Sequence, residues 1–248
     1  MSKSFTNNKL TSSKTNEVKM NQIIETARSI IEKNTEDGYP PQGHGRHPIF
    51  GYINFVVRRF IYNDVFSDLA KERCRRLSDY SIVNMNNWLL SFPLKVIEPE
   101  EVFGRPIYLN HATDPLISAY DTRCSVVQSF TEPGIISKVN PDKEGPGIIL
   151  MLPFGVGFTS NDCHDLLSLN LRGEYKSRIR EIYDYSDVVK QWEYRDGNLV
   201  DTLTHEKKDG FSDSAGFMID LMGILFSIGK MIDDLEIRWQ EYSIPENG

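Results

Sequence analysis

Residues 217–235, FMIDLMGILFSIGKMIDDL, place Phe217, Leu221, Ile224, Ile228, Met231 and Leu235 at alternating steps of four and three, which is the spacing of one helix face. A second ladder one residue on, Met218, Met222, Leu225 and Ile232, widens that face, while Asp220, Gly223, Ser227, Lys230 and Asp234 fall on the other side. Burying one large apolar side chain contributes about 1.5 to 3 kcal/mol. A helix carrying ten of them must therefore be covered, either by its own chain or by a neighbour. On this reasoning Phe217, Leu221, Ile224 and Ile228 are candidate partner contacts, and Leu235 belongs to the same buried face.

Upstream of this helix the texture is different. From Leu94, prolines at 99, 106, 115, 133, 141, 146 and 153 separate short β-prone runs: Arg105 to Leu109, Cys124 to Phe130, Ile135 to Val139 and Ile148 to Leu152. Short strands with long connections fit this pattern. Ile148 to Leu152 has no polar alternation, as expected of a strand covered on both faces. Ser160 or Asn161 then caps an expected helix through Leu166, Leu167, Leu169 and Leu171, with Gly173 interrupting it before Ile179 and Ile182. Asp196-Gly197 suits a hairpin turn between Trp192/Tyr194 and Leu199/Leu203. The other reading is a short helix begun at Ser186 and ended by Gly197.

The first third is helical in pattern. Asn16 and Glu17 open a helix bearing Met20, Ile23, Ile24, Ala27, Ile30 and Ile31. After the Gly/Pro-rich stretch TEDGYPPQGHGRHP, Pro48 suits the first position of a second helix that is apolar around most of its circumference: Phe50, Ile53, Val56, Val57, Phe60 and Ile61. Asn63 or Asp64 is positioned to cap a third helix, and Ser81 a fourth, stopped by Pro93. The expected class is α+β: an N-terminal helical bundle over 20–93, then a mixed region over 94–248 with a β-rich, proline-interrupted middle and a C-terminal amphipathic helix. The two regions are read as one body. Residues 1–19, rich in Ser, Thr, Asn and Lys, form an arm that is flexible or ordered by a partner.

Composition narrows the function classes. With 28 Lys and Arg against 35 Asp and Glu, the net charge of -7 argues against a surface devoted to nucleic acid or anionic lipid. Arg58, Arg59, Lys71, Arg73, Arg75 and Arg76 are locally basic, but Asp64, Asp68 and Glu72 are interleaved with them. Three widely spaced cysteines form neither a disulfide framework nor a zinc motif. No apolar segment of signal-peptide type opens the chain, and no run reaches the roughly 20 apolar residues of a membrane span. The expected location is the cytoplasm or a virion.

No motif of high specificity for catalysis or a cofactor is present. Gly43-His44-Gly45-Arg46-His47 offers two imidazoles and a guanidinium in a flexible loop, but a metal needs a third ligand and fixed spacing. Asp162-Cys163-His164-Asp165 sits at an expected helix start, where adjacent side chains point about 100° apart and do not activate one another. His44, Arg46, His47, Asp162 and His164 are thus weak site candidates; no metal and no cofactor are expected. Before them, GIILMLPFGVGFTSND has a strand, Gly-x-Gly and a helix cap but lacks both phosphate-loop signatures.

The expectation that covers most of these features is a structural or assembly protein holding neighbouring protein subunits, its own copies or others, such as a component of a virus or phage particle. Lys3, Lys9 and Lys14 of the arm are further candidate partner contacts. The alternatives are a hydrolase using loop His and Asp residues and an acidic inhibitor of a basic protein. The balance leans away from an enzyme.

Overall fold

The computed structural model describes residues 5–36, 46–70, 89–117, 148–159, 176–195, 198–208 and 216–240. Its elements are α1 (Phe5–Glu36), α2 (Pro48–Ala70), β1 (Lys95–Ile97), α3 (Pro99–Phe103), β2 (Tyr108–Asn110), β3 (Leu116–Ile117), β4 (Ile148–Leu152), β5 (Val156–Thr159), β6 (Lys176–Asp184), α4 (Ser186–Gln191), β7 (Trp192–Arg195), β8 (Asn198–Asp201) and α5 (Gly216–Asp234). The class is α+β, as expected.

The main sheet runs β1-β6-β4-β5-β3. β1 pairs with Ile182–Asp184 and β2 with Lys176–Arg178, both antiparallel to β6. The two short strands therefore lie end to end along one side of β6, interrupted by α3, which an ion pair between Glu100 and Arg178 (2.8 Å) clasps to the strand. β4 is central, parallel to β6 and antiparallel to β5. Its unbroken apolar run is buried from Ile148 to Met151, which is why it shows no alternation. β6 alternates, with Ser177 and Ile179 inward and Arg178 and Arg180 outward. Ile179 and Ile182 thus belong to a strand, not to the helical continuation expected of them.

The helices pack against this sheet and against the β7–β8 hairpin. α2 starts at Pro48 as expected but runs unbroken past Asn63 and Asp64, because residues that favour caps are tolerated once a helix has nucleated and each further residue only propagates it. The same reasoning covers α1, which begins at Phe5 and takes in most of the stretch read as an arm. Its first described buried side chain is Met20; Val18 and Lys19 are exposed. The segment 186–201 contains both elements that were weighed for it, α4 followed directly by the hairpin. The expected strands at 124–130 and 135–139 and the expected helix at 160–171 lie outside the described residues, as does nearly all of the expected fourth helix.

α5 passes through the centre of the helical layer. Leu221, Met222, Ile224, Leu225, Phe226, Ile228 and Ile232 are all buried in this chain's own core, so Leu221, Ile224 and Ile228 are not available as a partner surface. That corrects their assignment as partner contacts; the side chain of Phe217 lies outside the described residues. Two glycines permit the close packing. A methyl group on Gly223 would strike the Tyr194 ring, and one on Gly229 would strike Phe154. Gly223 accordingly faces a neighbour and not solvent.

Leu235 is 49% exposed, contrary to its place on the ladder, because the helix has already ended. Ile237 N–H donates to Ile232 O (2.9 Å) and Glu236 N–H to Asp233 O (3.0 Å). With Glu236 at φ 54°, this is a Schellman termination that turns the chain away at Leu235.

Candidate functional site

α2 has three faces with different tasks. Ile49, Phe50, Ile53, Val56 and Val57 enter the core. Asn54 and Arg58, one turn apart, reach the turn that follows β2: Asn54 Nδ2 donates to Thr113 O (2.8 Å), and Arg58 Nη2 donates to His111 O (2.7 Å) and Ala112 O (3.1 Å). The third face, with Pro48, Gly51, Phe55 and Arg59, is exposed.

The helix start is fixed by two of the weak sequence candidates. His47 is the N-cap, with Pro48 at the first helical position, and its Nδ1 accepts the Ile49 backbone N–H (3.1 Å), satisfying one of the donors that every helix leaves open. The bond requires Nδ1 to be unprotonated, and burial pushes the imidazole pKa below its usual 6.5, in the direction that keeps it neutral. Arg46 forms an ion pair with Asp114, and its guanidinium lies over Phe50 (5.3 Å) and Trp239 (5.0 Å). The other Asp114 oxygen accepts Asn110 N–H (2.8 Å). Both candidates thus have structural tasks, and neither the metal nor the base role weighed for His47 fits its cap geometry.

A different pair lies where a catalytic dyad would have to be tested. His111 Nε2 and Ser177 Oγ are 2.8 Å apart and both residues are buried, which is nucleophile-to-base distance. The remaining requirements are not met. Burial, and secondly the Arg58 charge, lower the His111 pKa to about 4, far from the value a general base needs at neutral pH. His111 Nδ1 has no hydrogen-bond partner among the described residues, so no carboxylate orients the ring as in a triad; Asp114 is committed to Arg46 and Asn110. The bond joins the turn to β6.

His44, Asp162, His164 and Lys3 lie outside the described residues, as do the side chains of Lys9 and Lys14 within α1. Among the described residues no group of three or more His, Cys, Asp or Glu is placed to hold a metal. None of the described helices is long and apolar enough to cross a membrane.

What the sequence reading missed is the exposed face of α2. Phe55 is 64% exposed and stacks on Tyr52 with ring centroids 6.4 Å apart. Tyr52 in turn donates its hydroxyl to Ile23 O on α1 (3.1 Å), fixing the aromatic pair to the α1–α2 junction. The available signal was that Phe55 stands outside the apolar set Phe50, Ile53, Val56, Val57, Phe60 and Ile61. Comparison of the whole chain with protein-family models, with curated proteins and with solved structures gives no match.

Proposed function

We propose that the protein is an assembly component that acts by binding protein subunits, and that its primary neighbour is a second copy of itself. The observation that carries this reading is the Phe55–Tyr52 pair with Arg59 on the outer face of α2. Aromatic residues and arginine are the types that dominate binding energy at protein interfaces, and covering one exposed phenylalanine contributes about 1.5 to 3 kcal/mol. The face is also preorganised, since Tyr52 is tied to α1 and the helix behind it is locked to the turn at 111–113, so little ordering is needed on binding.

Charge and shape favour a second copy. The segment 1–19 carries four lysines and one glutamate on a chain of net charge -7, so it and Arg59 find a complementary surface on another acidic body. α1 has 32 residues, about 48 Å at 1.5 Å per residue, against about 28 Å for α5, on which it packs.

The test is photo-crosslinking from position 55. With a benzophenone amino acid replacing Phe55, irradiation of the purified chain should give a covalent dimer. An equivalent probe at exposed Arg180, on β6, should give far less. Equal yields from the two positions, or only intramolecular products, would refute the reading.

A further inference from the structure

The turn at 111–113 carries a second property. His111 is completely buried, its Nε2 is bonded to Ser177, and its own carbonyl is held by the Arg58 guanidinium at 2.7 Å. Among the described residues the groups around it are Arg58 from α2, the uncharged Ser177 from β6 and, just past the turn, Asp114, which is turned to Arg46 and Asn110 N–H. No anion among the described residues is placed to receive a charged imidazole. The neutral ring fits this site. The protonated ring sets a second positive charge beside Arg58 in a place without solvent, which is strongly unfavourable.

Relief is available nearby. β2 has three residues and pairs only with β6 among the described strands; the turn beyond it is held to α2 by Asn54 and Arg58, and Asp114 after it by Arg46. Opening there frees the ring to reach water while β4 and β5 stay intact, and such local opening costs less than global unfolding. We propose that His111 is an acid-sensitive latch: proton uptake by its ring separates the turn at 111–113 from α2 and removes the support of the face that carries Phe55. The link to Phe55 rests on the association reading above; the latch itself does not.

The direction follows from linkage. The closed ring takes a proton only near pH 4, whereas a solvated imidazole does so near 6.5. The closed state is therefore fully stable above about pH 6.5 and is progressively lost as pH falls from there toward 4.

The experiment is hydrogen exchange of the full chain at pH 7.5, 5.5 and 4.5, corrected for intrinsic rates, beside the 15N shifts of the His111 ring and a His111→Gln variant that keeps a donor and acceptor near Ser177 without titrating. Peptides covering 49–58 and 107–114 should lose protection at least tenfold between pH 7.5 and 4.5, while 148–152 keep theirs and the variant shows no such loss. Equal loss in wild type and variant, or full protection of wild type at pH 4.5, would overturn the latch. If the variant does not fold, wild type decides alone: the ring's titration midpoint and the exchange midpoint must coincide, and a separation beyond one pH unit overturns it. The native mass of the same samples separates the two ideas, because a monomer at every pH defeats the association reading while the exchange data still decide the latch.

Discussion

The Arg46 guanidinium meets the buried Asp114 carboxylate from between the rings of Phe50 and Trp239, joining the start of α2 to the turn after β2 and to the segment after α5. Removing one partner of such a pair leaves an uncompensated charge, at a cost of about 3 to 5 kcal/mol. Arg46→Ala should therefore lower stability by that order in urea denaturation. In a cycle with Asp114→Ala the two losses should be non-additive, with a coupling of at least about 1 kcal/mol. Strict additivity would show that the contact is incidental.

His47 as N-cap predicts a smaller and chemically specific effect. His47→Ala should cost about 1 kcal/mol, and His47→Asn, which also caps, should cost much less. Because burial lowers the His47 pKa, the cap's contribution is complete above about pH 6.5 and declines as pH falls below it. Stability of His47→Asn relative to wild type should accordingly improve on acidification. An Asn variant as damaged as the Ala variant would remove the cap from the account.

In most helices Gly→Ala is stabilising by about 1 kcal/mol. Here the sign should reverse, since Gly223 lies against the Tyr194 ring and Gly229 against Phe154. Each substitution should cost about 1 to 3 kcal/mol through overpacking, read as a fall in melting temperature. A more stable Gly223→Ala would mean that Tyr194 can move aside freely.

Glu236 holds a left-handed conformation, φ 54°, just past the end of α5, where glycine is the favoured residue and a negative charge opposes the helix dipole. Glu236→Gly should stabilise by about 0.5 to 1 kcal/mol. A destabilised variant would mean that the Glu236 side chain makes a contact outweighing its backbone strain.

Local patterns carried much of this fold. The apolar run of β4, the proline that opens α2, the pairing of 192–195 with 198–201 and the ladder of α5 are each set by a few neighbouring residues, and each was legible. β6 was not, because its polar and apolar alternation over 176–180 was absorbed into a helix expected to start earlier. Leu235 keeps the helical spacing although the helix ends at Asp234. The polar cluster was least legible of all. Arg46, Asn54, Arg58, His111, Asp114 and Ser177 come from three segments that only the tertiary fold brings together, and no spacing in one segment announces the others. Phe55 was visible only as an aromatic residue out of step with its ladder.

The central claim is that the outer face of α2 joins one copy of this chain to another, and the native mass in solution tests it most directly. Sedimentation equilibrium across a hundredfold concentration range should give a multiple of the 28.5 kDa chain mass for wild type. A Phe55→Ser/Arg59→Glu variant should return to a single chain while keeping the wild-type circular dichroism spectrum. Wild type at 28.5 kDa throughout, or a variant that assembles as wild type does, would contradict the account.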